Sequence, residues 1–437
     1  MPDVAQAHAL RAQVQATRRA ARKLARLYGA ERNQILLSAA DALERRADEI
    51  LKANQADCEL ALGANIATPL FKRLKTTAAG VAEMAMRVRD VAALEDPLGH
   101  VLSTTELDEG LSLDKVPCPL GVIAVIFEAR PDAVPQVSSL AIKTANGLVL
   151  KGGVEARHSN RVLLSIWRDA LASLDPVLAD CICLLEDRAE VMQVLQMDRE
   201  IDLVVPRGST EFVNFVFRNS RIPVLGHGAG ICHIYVDRAA DLAMATAVAV
   251  DSKVQYPAAC NSAEKVLVHR EIAASFLPQV IGALQTAGVE VRADEEARSL
   301  CPDLKLIAAT EEDWSTEYSD LKITIKVVAD LSEAIDHIEC YGSRHTECII
   351  TQDAAAASQF LEEVDAASVF HNASTRFADG FRYGLGAEIG ISNSKLHARG
   401  PVGLEGLLSY KYKLRGEGQI VADYATGKAT FTHKKVR

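Results

Sequence analysis

No run of about 18 apolar residues occurs in the 437-residue sequence, so no transmembrane helix is expected. The Ala-rich stretch 239–252 comes nearest and is interrupted by Asp241 and Asp251. The N-terminus has no apolar core of a secretory signal, which points to the cytoplasm. Positive charge is in deficit. With 48 Lys and Arg against 58 Asp and Glu, the net charge of −10 argues against a nucleic-acid binder. The basic stretch Arg18, Arg19, Arg22, Lys23 and Arg26 follows helical spacing and reads as a solvated helix face. Metal-ligand clusters are missing, because Cys181 and Cys183 sit one residue apart in an apolar run, a strand pattern. Nine scattered cysteines, an odd number, suit a reducing cytosol. The GxGxxG fingerprint is absent too, so an ordinary Rossmann dinucleotide site is excluded.

What is present is enough apolar sequence, 49%, to bury the cores of two or three domains. Residues 4–95 carry helical spacing, with Leu10, Val14, Leu24, Ile35, Leu36, Leu43 and Ile50 on the apolar stripes. Segment 100–117 reads as a hairpin. From residue 120 short apolar runs alternate with helical stretches. Strands are expected at Val122–Phe127, Leu148–Lys151, Ile182–Leu185, Asp202–Val205 and Val224–Gly226. A second series follows at Ile231–Val236, Lys265–His269, Lys322–Val328, Cys348–Thr351 and Ser368–Asn372. Such alternation predicts an α/β protein with two open parallel sheets, each covered on both faces. The Gly-rich segment 226–230 is a natural boundary between them. Beyond Gly400, the stretch 407–412 reads as an exposed strand suited to subunit contacts.

Several short motifs could carry chemistry, each with a plainer alternative. Cys260 lies in a Pro-bearing loop before a strand, where a thiolate nucleophile could be exposed. On composition alone it competes with Cys118, Cys232 and Cys340, and most cysteines are simply small buried hydrophobes. Gly208, Ser209 and Thr210 follow a strand and open a helix. Their amides could meet a pyrophosphate, or Ser209 or Thr210 could cap the helix with no ligand involved. Lys151 closes a strand at the sheet end where ligands gather, and reads equally as a snorkelling surface lysine. Arg130 lies just past another strand end. It could bind an anion or pair with Glu128 or Asp132. His345 and Arg376 sit in polar loops flanking the last two strands.

Seven stretches, taken in order, carry a resemblance: GVIAVIFEARPD at 121–132, KTANGLVLKGG at 143–153, GHGAG at 226–230, DSKVQYPAACN at 251–261, CYGSRHTECI at 340–349, NASTRF at 372–377 and GLGAEIGISNSKLHARGP at 384–401. The chain resembles the aldehyde dehydrogenase superfamily, and within it the branch that reduces an acyl phosphate of glutamate. The resemblance implies an aldehyde dehydrogenase-like fold. It selects Cys260 as the nucleophile and places Arg130 where hydrolytic relatives carry an oxyanion-hole asparagine. It sets Gly208, Ser209 and Thr210 at the cofactor pyrophosphate, Lys151 at the adenosine ribose and, by a loose alignment, Glu317 at the nicotinamide ribose. His345 and Arg376 become candidates for gripping substrate.

Two departures add to this. Where hydrolytic relatives hold a glutamate base, this sequence has Gly226, so a thioester should resist hydrolysis. Where many NAD-specific relatives have an acid three residues after the lysine, it has Val154, with Glu155 and Arg157 beside it, favouring NADPH. The resemblance implies reduction of L-glutamate 5-phosphate to L-glutamate 5-semialdehyde in proline biosynthesis, with a separate glutamate 5-kinase as functional associate. A CoA-acylating aldehyde dehydrogenase or a non-catalytic dinucleotide-binding scaffold are the alternatives. The expected parts are an NADPH-binding domain (1–99 and 118–230), a catalytic domain (231–371) and an active-site return segment (372–399). A hairpin with C-terminal tail (100–117 and 400–437) would join a homodimer or larger homo-oligomer, and the active site would lie in the cleft between the large domains.

Overall fold

The computed structural model describes residues 4–64, 66, 68–187, 189–226 and 228–436. His227, in the Gly-rich boundary segment, lies outside the described residues. The chain divides into two compact units. Unit 1 comprises residues 1–225, 385–390 and 402–437, and unit 2 comprises 226–384 and 391–401. The division falls five residues before the expected boundary. It gives most of the return segment to unit 2 and residues 385–390 to unit 1.

Unit 1 opens with five helices: α1 (Val4–Leu24), α2 (Gly29–Arg45), α3 (Ala47–Gly63), α4 (Thr68–Leu74) and α5 (Ala78–Ala93). Leu10, Val14 and Leu24 of α1 are buried. Its basic stretch is only partly a solvated face. Arg18 pairs with Asp202 at 2.8 Å and Lys23 pairs with Asp175, while Arg19, Arg22 and Arg26 are exposed. Strands β1 (Ser103–Asp108) and β2 (Leu111–Pro119) form the hairpin. The parallel sheet then runs β3 (Val122–Phe127), α6 (Ala133–Lys143), β4 (Gly147–Lys151), α7 (Arg157–Ala172), β5 (Ile182–Leu185), α8 (Ala189–Val194), β6 (Leu203–Arg207) and α9 (Thr210–Asn219). Its strand order is β5-β4-β3-β6. Every residue of β3 and β4 is buried, as an apolar run in a doubly covered parallel sheet demands. The expected strand at Val224–Gly226 reduces to one bridge between Val204 and Val224. Pro223 has no amide N–H for a ladder there.

The C-terminal tail joins the hairpin. Leu408–Arg415 pairs antiparallel with β2 over eight residues, and Lys434–Lys435 pairs with β1. Tyr410, Tyr412 and Leu414 stand exposed on this edge strand.

Unit 2 is built on β7 (Cys232–Val236), α10 (Leu242–Val254), β8 (Ala263–His269), α11 (Arg270–Thr286), β9 (Glu290–Ala293), β10 (Ile307–Ala308), β11 (Lys322–Val328), β12 (Thr346–Ile350) and β13 (Ser368–His371). All seven strands are parallel, in the order β10-β9-β11-β8-β7-β12-β13. Helix α10 starts at Asp241, whose carboxylate accepts the Met244 N–H at 2.9 Å. Phe276, Leu277, Val280, Ile281 and Leu284 of α11 pack against the sheet core. Among the described residues no helix is long and apolar enough to cross a membrane.

Candidate active site

The turn between α10 and β8 carries Cys260, which is half-buried. Burial separates it from other thiols. Cys181, Cys183 and Cys348 are pushed up to about 12 by desolvation, and Cys232 well above its ordinary value. Such thiols are poor nucleophiles. Cys118 lies within β2, and Cys340 sits on the exposed face of helix Leu331–Tyr341.

The Cys260 turn is clamped from three sides, all within unit 2. The Asn261 side-chain Nδ2 donates to the Ala378 carbonyl at 2.8 Å, and the Cys232 thiol meets the Cys260 carbonyl at 3.3 Å. A Cβ built on Gly230 would stand 2.0 Å from the Cys260 carbonyl oxygen, so only glycine allows this backbone approach. Arg376 is buried, and Cys260 is among the groups that act on its charge. Its Nε donates to Gln255 Oε1 at 2.8 Å, and its guanidinium carbon lies 5.8 Å from the centre of the Tyr256 ring. Burial, then the neighbouring Arg382, lowers its pKa from the ordinary arginine value, while Cys260 and Asp379 act the other way. Buried cations of this kind suit an anionic substrate group.

His345 is placed differently. It is fully buried, with Nδ1 2.8 Å from Thr346 Oγ1 and 3.8 Å from the Cys232 sulfur. Its ring therefore backs the residue that supports Cys260 and presents no surface to solvent. Glu317 is half-buried on the coil leading into β11, where its charge acts on Glu264.

Sequence reasoning did not anticipate the polar row beneath this turn. Glu347, His233, Lys265 and Thr324 are register neighbours across β12, β7, β8 and β11, and all four are fully buried. Glu347 Oε2 accepts the His233 amide at 2.7 Å and lies 2.9 Å from His233 Nδ1. Burial drives Glu347 well up and His233 down to about 3, so the charged form of each is disfavoured. Lys265 Nζ donates to the Thr316 carbonyl at 2.8 Å, and burial lowers its pKa to about 8. A second buried pair, Lys253–Glu264 at 3.0 Å, joins α10 to β8. Desolvation raises Glu264 to about 7 against the opposing pull of Lys253 and Lys265. The one legible signal was Glu264-Lys265 opening an otherwise apolar strand.

In unit 1 the remaining candidates gather at strand ends. Lys151 is buried, and its Nζ donates to the Gly152 carbonyl at 2.6 Å. This removes the snorkelling alternative. Desolvation lowers its pKa, with Glu155 and Glu190 acting the other way. Gly208 and Ser209 are exposed at the start of α9, and Ser209 Oγ accepts the Phe212 amide at 3.3 Å. Ser209 is thus a helix cap, and a cap residue at a helix N-terminus can still line an anion site. Arg130 is half-buried and forms no ion pair with Glu128 or Asp132 among the described residues. A side-chain-free Gly208 and a helix N-terminus after β6, with a buried lysine at the end of β4 on the other side of β3, fit a dinucleotide.

The model of the aldehyde dehydrogenase family matches residues 2–302, and the chain belongs to that family. Its fold implies a nicotinamide dinucleotide cofactor. The chain is 56% identical to the gamma-glutamyl phosphate reductase of a Cyanothece species over 421 residues, 96% of each chain. Identity to the gamma-glutamyl phosphate reductase of a Synechococcus species is 53% over 439 residues, covering 99% of this chain and 96% of that one. The crystal structure of gamma-glutamyl phosphate reductase from Thermotoga maritima matches with a TM-score of 0.91 at 40% identity, covering 94% and 99% of the two chains. Within the aldehyde dehydrogenase family, the chain therefore belongs to the gamma-glutamyl phosphate reductases.

Proposed function

We propose that the protein reduces L-glutamate 5-phosphate to L-glutamate 5-semialdehyde and phosphate, with NADPH, through a thioester on Cys260. The observation that carries this is the near-full-length identity to gamma-glutamyl phosphate reductases. The clamped turn of Cys260, whose Gln255 and Tyr256 meet buried Arg376, supports it. The product feeds proline synthesis.

The Cys260 thiolate attacks the acyl carbon. A C–S bond forms, the C–O bond to phosphate breaks, and phosphate leaves with the electron pair. We assign Arg130 as a donor to the developing oxyanion, a role typically worth about 2.7–4 kcal/mol. Arg376 holds an anionic group of the substrate, and His345 acts as a positioning residue through Cys232. A bound nicotinamide dinucleotide supplies the hydride. Lys151, Gly208, Ser209 and Thr210 hold its adenosine ribose and phosphates, and Glu317 its nicotinamide ribose. Val154, where an acid would favour NAD, supports NADPH. With Gly226 in place of a general base, no side chain there activates water against the thioester. After reduction the C–S bond of the hemithioacetal breaks and the sulfur is restored. The exposed strand Leu408–Arg415 supports a homodimer, and nine free cysteines support a cytoplasmic setting.

The test uses enzymatically generated L-glutamate 5-phosphate and follows the loss of NADPH absorbance. Oxidation by the wild type and none by Cys260→Ser is the expected pair of results. Turnover retained in the variant would exclude the covalent route.

A further inference from the structure

Strand β8 begins at Ala263, three residues beyond Cys260, and its next two residues are the fully buried charges Glu264 and Lys265. Their side chains reach two different segments of unit 2. Glu264 Oε2 accepts from Lys253 Nζ at 3.0 Å, near the end of α10, and this pair closes the base of the loop that carries Cys260. Glu264 Oε1 accepts the Ser319 amide at 3.4 Å. Lys265 Nζ donates to the Thr316 carbonyl at 2.8 Å and stands 4.7 Å from the centre of the Tyr318 ring. Adjacent residues of one strand thus hold the coil 316–319 on both sides of Glu317.

The coil is fixed from its other side as well. The Tyr318 hydroxyl donates to Asp313 at 2.7 Å and lies 2.6 Å from Oγ1 of Thr324, the register neighbour of Lys265 on β11. Ser319 has φ 51°, a left-handed conformation that a residue other than glycine keeps where its surroundings impose it. Buried charges are a costly way to hold a scaffold, since apolar side chains of similar volume often serve stability as well. What charged, directional contacts add is a fixed spacing between the two segments that they join.

We infer that Glu264 and Lys265 are positioning residues that hold the Glu317 coil at a set distance from the Cys260 turn, so that hydride transfer to the thioester depends on them and thioester formation does not. The inference rests on the proposed function, in which Glu317 takes the nicotinamide ribose and Cys260 carries the acyl group. It adds that the residues just after the nucleophile serve the second half of the reaction.

The test separates the two halves in the full chain. Acyl-adduct formation on Cys260 from L-glutamate 5-phosphate is followed by rapid acid quench without dinucleotide. Discharge of that adduct is then followed in a single turnover at saturating NADPH. In Lys265→Met, and in Glu264→Gln, whose amide has one acceptor oxygen for two donors, discharge should slow at least tenfold while acylation stays within threefold. Lys265→Arg should recover part of the loss. If Lys265→Met or Glu264→Gln does not fold, Tyr318→Phe, which removes a single hydroxyl from the coil, decides by the same two rates. Unmoved discharge overturns the inference, and so does an equal fall in both rates, which marks a merely structural role. A wild type that forms no adduct overturns the proposed function and this inference with it. Wild-type acylation and discharge with unmoved variants overturns the inference alone.

Discussion

The two parallel sheets differ in what they bury. In unit 1 the interior of the sheet is apolar, with Ile123, Val125, Leu148, Leu150, Val204 and Val205 along its strands and Lys151 only at a strand end. In unit 2 a row of Glu347, His233, Lys265 and Thr324 crosses four strands with no exposure, and Lys253 and Glu264 are paired beside it. An apolar sheet is a platform whose ligand groups stand at the strand tips. A sheet with buried polar groups carries a desolvation cost that only a complete set of partners offsets. That polar row lies where β7, β8 and β12 begin, and the Cys260 turn leads into β8. The contrast fits the roles proposed above, in which most of the dinucleotide groups stand on the simple scaffold of unit 1 and unit 2 holds the Cys260 turn rigidly.

Four changes would break or sharpen that contrast. Cys260→Ala should lower kcat at least about 10³-fold. Dinucleotide affinity, read by fluorescence titration, should stay because Cys260 is not among the residues assigned to hold the dinucleotide. Loss of both would contradict those roles. Lys253→Met leaves Glu264 buried without its partner and should cost about 3–5 kcal/mol in urea unfolding. Ile126→Val in the unit 1 sheet should cost only about 0.5–1.5 kcal/mol. Equal costs would mean that the sheets do not differ as described. Gly230→Ala forces a shift against the Cys260 carbonyl, and kcat should fall about 10²-fold while the unfolding midpoint changes little.

A further change concerns pH. Burial depresses His233 and His337 to about 3. Their share of stability is therefore complete above about 6.5, the ordinary histidine value, and is lost as pH falls toward 3. Between pH 7 and 5 each should contribute about 2 kcal/mol of destabilisation. A His337→Leu variant should lose part of that slope. An unchanged slope would mean that His337 is not the titrating group.

The sheets were largely legible because apolar runs bounded by turn residues mark doubly covered strands. Val122–Phe127, Ile182–Leu185 and Lys322–Val328 begin and end where the sequence places them. The short strands Glu290–Ala293 and Ile307–Ala308 were not legible, since four and two residues are too few to show an apolar run. Cys260 was one cysteine among nine until family resemblance singled it out. The pairing of Arg376 with Gln255 spans 121 residues, and that of His233 with Glu347 spans 114. Both depend on strand register and loop path, which local patterns do not encode. Nor does a polar loop disclose its inner side. His345 stands one residue before β12, and the start of that strand decides which way it faces.

The central claim is a glutamyl thioester on Cys260. Rapid acid quench of the protein mixed with L-glutamate 5-phosphate and no dinucleotide, followed by peptide mass spectrometry, tests it most directly. The account predicts an acyl adduct on the peptide containing Cys260 that NADPH discharges and that Cys260→Ala lacks. An adduct on another cysteine, or none while the wild type turns over, would contradict it.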